Sequence, residues 1–61
     1  MEDNDLSLVL AVIGVLIANL ERLRQIDDSN VGWFVGQVMK MGGGRYNPVI
    51  VERVIRKMAG L

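Results

Sequence analysis

An all-α domain of three helices is the fold that this 61-residue sequence predicts. Three observations carry the prediction. Apolar residues recur at three- and four-residue spacing in three segments, about 6–25, 31–41 and 48–59. Residues that cap helix N-termini stand before each segment, and glycines close the second and third. The length allows one domain, 1–61, and a chain this short buries only about 60% of the surface its unfolded form exposes.

The first helix opens after Asp3, Asn4 and Asp5, any of which caps an N-terminus and complements its dipole. Leu6, Val9, Leu10, Ile13, Leu16, Ile17, Leu20 and Leu23 fall on one face, and Glu21, Arg22 and Arg24 mark a solvated end. The opposite face, Leu8, Ala11, Val12, Val15 and Ala18, is apolar too, so this helix needs a second covering surface. The apolar run is too short for a membrane span, which needs about 20 residues, and the acidic start lacks the basic flank of a secretory signal. A cytoplasmic location is expected. Gly14 sits mid-helix, a costly position that suggests a close helix–helix approach.

The second helix follows Asp27-Asp28-Ser29-Asn30, with Ser29 or Asn30 as its cap. Val31, Phe34, Val35, Val38 and Met39 form its apolar face, and Trp33, Gly36, Gln37 and Lys40 the other. Trp33 reads as a core or interface aromatic rather than a base-stacking platform, and Gly36 as a place where a backbone comes close. Met41-Gly42-Gly43-Gly44-Arg45-Tyr46 then ends the helix, its glycines supplying left-handed conformations and flexibility. Asn47-Pro48 starts the third helix. Val51, Val54, Ile55 and Met58 form its buried stripe, Val49 and Ile50 pack near its base, and Gly60 closes it. Glu52 and Arg56 make an i, i+4 pair.

Composition removes much chemistry. With no Cys and no His, disulfides, thiol and imidazole catalysis, zinc and haem ligation are excluded, and no cofactor or metal is expected. The carboxylates sit at helix ends and solvated positions, unpaired around any cleft, so the chain is not expected to be an enzyme in isolation. Net charge is zero but divided. Residues 1–29 hold six acids against Arg22 and Arg24, a net of −4, whereas residues 30–61 hold Lys40, Arg45, Arg53, Arg56 and Lys57 against Glu52, a net of +4. A basic half of this kind suits a polyanion. The glycine-rich turn leading into a helix N-terminus also reads, weakly, as a phosphate cradle, although it is neither a P-loop nor a dinucleotide fingerprint.

The stretch Val31 to Pro48 resembles the C-terminal tail of the GatB/YqeY family, in which a GxxVGQVMK helix leads through a GKANP turn into a final helix. Gly32, Val35, Gly36, Gln37, Val38, Met39 and Lys40 match the first element. Gly44, Arg45, Asn47 and Pro48 match the second, with Arg45 in place of Lys and Tyr46 in place of Ala. The resemblance covers about residues 31–58, so that 30–61 is a family-like helical hairpin and 1–29 an apolar helix flanked by acids. It implies a tRNA-contacting, non-catalytic module, since the family's amidotransferase subunits carry such a tail near the tRNA elbow while phosphorylation and amide transfer occur in other domains. Carried over by position, Lys40, Gly43, Gly44, Arg45 and Asn47 are the tRNA-proximal candidates. Arg53, Arg56 and Lys57 join them on charge alone. The competing expectation is a helical oligomerisation or docking domain, in which a second copy or a parent protein covers the Leu6–Leu23 helix.

Overall fold

The computed structural model describes residues 4–61, with side chains from Leu6 onward. Its elements are α1 (Asn4–Ala18), α2 (Leu20–Leu23), α3 (Val31–Gly42) and α4 (Pro48–Ala59), with no strand among the described residues. The predicted all-α class and the second and third helices hold. α3 packs on both α1 and α4, and α1 also meets α4. The capping expected at the first helix rests on Asp3 and on the side chains of Asn4 and Asp5, which lie outside the described residues.

The first helix is not the single run expected over 6–25. Asn19 leaves helical geometry (φ −133°, ψ 47°), and α2 follows as a separate single turn. Its side-chain amide donates to the Val15 carbonyl at 2.8 Å, the acceptor its own backbone N–H would use in a continuous helix. That backbone N–H turns instead to the Leu16 carbonyl at 3.2 Å. The side chain thus competes with the main chain, and the main chain gives way.

The face that α1 buries also differs. The core contains Leu8, Val12, Val15 and Leu16 from α1, Val31, Phe34 and Val38 from α3, Tyr46 from the turn, and Val51 and Ile55 from α4. Of the stripe expected inside, only Leu16 is fully covered, while Leu6, Leu10, Ile17 and Leu20 stay 57–69% exposed. With both faces apolar, periodicity cannot choose between them. The α3 and α4 stripes are as read, except that Val49 (62%) and Met58 (45%) remain exposed. A Cβ on Gly36 would meet nothing within 4 Å, and one on Gly14 only the Met41 Cε at 4.0 Å. Neither glycine marks the close backbone approach that its position suggests.

Asn30 holds the N-cap position of α3, as expected, but its side chain makes no capping bond, and Asp27 organises the turn that leads into the helix. Asp27 Oδ1 accepts from the Ser29 N–H (2.9 Å), the Ser29 hydroxyl (2.6 Å) and the Asn30 N–H (3.2 Å). Asn30 reaches backwards, its Oδ1 accepting from the Asp27 N–H at 2.8 Å and its Nδ2 donating to the Gln25 carbonyl at 3.0 Å. The Ser29 hydroxyl first, then the backbone amides, hold the Asp27 carboxyl below its ordinary pKa of 3.8. A depressed folded-state pKa gives stability that is present above the unfolded value and is lost as pH falls through the folded one. Asp27→Asn is therefore expected to lower the thermal midpoint at neutral pH and to shrink the gap from wild type when melts are repeated near pH 3. An undiminished gap at low pH would show that the carboxylate charge contributes nothing.

No helix among the described residues is long and apolar enough to cross a membrane.

Candidate nucleic-acid interface

The turn between α3 and α4 is fixed by its own hydrogen bonds. Gly43 (φ 62°) and Gly44 (φ 84°) are left-handed, conformations that side chains with a Cβ adopt only with strain. The Gly43 N–H bonds the Lys40 carbonyl and the Gly44 N–H the Met39 carbonyl, both at 3.2 Å, closing α3 in a Schellman arrangement. The Arg45 N–H bonds the Gly42 carbonyl at 3.1 Å. Three amides that a phosphate cradle would need are thus already engaged. The cradle reading fails on this point.

At the start of α4, Asn47 acts as the expected N-cap, its Oδ1 accepting from the Val49 N–H at 2.9 Å, with Pro48 in the first turn. Tyr46 closes the space beneath. Its ring is buried against Gly42, where an added Cβ would overlap Cδ2 and Cε2, and its hydroxyl shares a 2.8 Å hydrogen bond with Ser7 of α1. The residue that departs from the family's turn pattern therefore ties that turn to the first helix. Tyr46 is not among the residues that sequence reasoning singles out. Its i, i+4 spacing from Gly42 is the local signal that a ring packs over the helix end.

The cations divide into two kinds. Lys40, Arg45, Arg53 and Lys57 are exposed. Arg45 is steadied by its Nε donating to the Gly42 carbonyl at 3.0 Å, and Arg53 and Lys57 stand one turn apart on α4. Arg56 is half-covered and committed elsewhere. Its Nη1 donates to Asp28 and its Nε to Glu52 at 2.9 Å, and these carboxylates, Asp28 foremost, push its pKa up. The Glu52 pair follows the helical spacing; the Asp28 partner, 28 residues away, has no local signal. Of the eight candidates, Lys40, Gly43, Gly44, Arg45 and Asn47 gather at one turn and Arg53 and Lys57 continue along α4. Arg56 is drawn to the flank by its acids.

Trp33 is half-buried, edge-on to Phe34 with ring centroids 5.1 Å apart, and the Arg22 guanidinium lies 4.1 Å from its ring centroid. One ring face is thus taken, in keeping with an interface aromatic. The cavity lined by Arg22, Gln25, Asn30, Trp33 and Phe34 is about 80 Å³, and an open depression of about 300 Å³ lies over Val49, Glu52, Arg53 and Arg56, where small-molecule sites begin at roughly 300 Å³. No group of three or more metal-ligating side chains occurs among the described residues. What the surface offers is charge on a fixed turn.

Three packed helices with an exposed cationic turn between the last two define a small helical module. The chain belongs to the GatB domain family, whose model matches residues 3–58. The match extends through the first helix, beyond the 31–58 segment that carried the resemblance. Relatives include the GatB subunit of the aspartyl/glutamyl-tRNA(Asn/Gln) amidotransferase of Bradyrhizobium diazoefficiens, 38% identical over 60 residues. The corresponding subunit is 40% identical over 60 residues in Rhodopseudomonas palustris strain HaA2 and 41% over 61 residues in Caulobacter vibrioides. These alignments cover 93%, 93% and 95% of the chain but only 12% of each relative. The chain therefore spans about one-eighth of their length. No solved structure matches.

Proposed function

We propose that this chain is a tRNA-contacting module without catalysis of its own, meeting the phosphates of a folded RNA through Lys40, Arg45, Arg53 and Lys57. The observation that carries this reading is the set of four exposed cations at and after a hydrogen-bonded turn, in a chain whose relatives are subunits of a tRNA-dependent amidotransferase. Gly43, Gly44 and Asn47 set the frame of the turn, and Arg56 adds field from its ion-paired position. Side-chain cations on two short elements position a nucleic-acid backbone but read few base edges, so recognition is of shape and phosphate rather than sequence.

Four phosphate contacts make the logarithm of affinity fall with the logarithm of salt at a slope of about −3 to −4. The acidic first half keeps the absolute affinity modest. Filter binding with total tRNA across a salt series is the measurement. Lys40→Glu with Arg45→Glu is expected to abolish binding, a loss of more than about tenfold at the lowest salt, with helix content by circular dichroism unchanged. A double variant that binds as wild type does, or a wild-type affinity indifferent to salt, would sink the RNA reading.

A further inference from the structure

The outward face of α1 is the largest feature that the RNA reading leaves unused. From Leu6 to Leu20 the chain has no charged side chain at all. Leu8, Val12 and Val15 take up the inner face, yet the outer face is as apolar, where a helix with one side in water normally carries its charges. Leu6, Leu10, Ile17 and Leu20 are all more than half exposed, with Ile13 half-buried between them. Exposed Met41 from α3 borders the same face beside Gly14. A contiguous patch of this kind marks an interaction surface.

The spacing and charge say what covers it. Within α1, Leu6, Leu10, Ile13 and Ile17 follow one another at intervals of four, three and four, the seam of a helix that packs against another helix, while Leu20 lies beyond the break at Asn19. The intervals read the same in both directions, so in an antiparallel pair of copies Leu6 meets Ile17 and Leu10 meets Ile13. The flanks favour the same orientation. Glu2, Asp3 and Asp5 stand at the N-terminal end of this segment, whereas Glu21, Arg22 and Arg24 follow its C-terminal end, net −3 against +1. Antiparallel pairing sets acids against arginines and aligns the helix dipoles head to tail; parallel pairing stacks six acids at one end.

We infer that α1 is the interface of an antiparallel homodimer, each copy covering the Leu6–Ile17 seam of the other. At about 22 Å, α1 is a short seam, so the interface falls in the small, transient class and the dimer forms at micromolar concentrations. It involves none of the four exposed cations, and its test is independent of RNA.

Sedimentation equilibrium of the full chain from roughly 10 to 500 µM is expected to show a reversible rise from monomer to dimer mass, the concentration range of a small interface. Leu10→Glu, at an exposed position, is expected to weaken dimerisation at least tenfold while circular dichroism stays unchanged. Adding Ile13→Lys to it distinguishes the orientation. In an antiparallel pair each new glutamate faces a new lysine, so the double variant recovers dimer at low salt relative to Leu10→Glu alone; in a parallel pair like charges meet and it does not. A wild-type monomer throughout the range, an unaffected Leu10→Glu dimer, or a double variant no better than the single would each overturn the inference.

Discussion

Phe34→Ala is expected to remove about a third or more of the stability of this domain. Phe34 is 1% exposed, the largest of the fully buried side chains, and belongs to the cluster that joins α1, α3 and α4. Removing a buried phenylalanine ring costs about 3–5 kcal/mol, the lost transfer energy plus the cavity left where neighbours cannot collapse. A domain of 61 residues has a total stability of about 3–9 kcal/mol, so this one change takes from about a third to all of it. Urea denaturation followed by circular dichroism measures the effect. Phe34→Leu, which keeps most of the volume, should retain a cooperative transition at reduced midpoint. Should Phe34→Ala unfold within about 1 kcal/mol of wild type, the three-helix core described above is not what holds the chain together.

Gly42→Ala should be the next most damaging exchange, at a position where the helix dihedrals themselves would welcome alanine. Gly42 is the last residue of α3, and the added methyl overlaps the Tyr46 ring, which is held between the core and the Ser7 hydroxyl. The ring must shift or the turn must open. Overpacking of this sort costs about 1–3 kcal/mol against the few tenths to 1 kcal/mol that alanine gains in helix propensity. The companion measurement is a double-mutant cycle. In Gly42→Ala with Tyr46→Ala the overlap is gone, so the two losses should fall short of additive by about 1 kcal/mol or more. Strict additivity would mean that the ring does not rest on Gly42.

The parts of this fold that could be read from sequence are those where one local signal had no rival. Asn47-Pro48 and Gly60 bracket α4, and Val31, Phe34 and Val38 are buried as their spacing demands. Reading failed where two signals competed. In α1 both stripes are apolar, and only the arrival of α3 and α4 decides that Leu8, Val12 and Val15 go inside. At Asn19 the side chain competes with its own backbone for the Val15 carbonyl, a contest that composition does not reveal. Ahead of α3, Asp27, Ser29 and Asn30 are all good caps; Asn30 takes the N-cap position while Asp27 collects the hydrogen bonds of the turn. At the candidate interface, residue type named the cations but could not show that Arg56 is held by Asp28 from a distant turn. Nor could it show that the glycine amides are occupied, because hydrogen-bond partners are a property of the closed turn.

The closed turn bears on how a partner would experience this surface. Gly43 and Gly44 are present for the sign of their φ angles, and their amides are held by the last carbonyls of α3. Loop entropy is therefore surrendered when the domain folds, not when something binds. A ligand meeting Lys40 and Arg45 finds a frame already closed by its own hydrogen bonds, so its association resembles docking onto a preformed template more than the moulding of a loop around a guest.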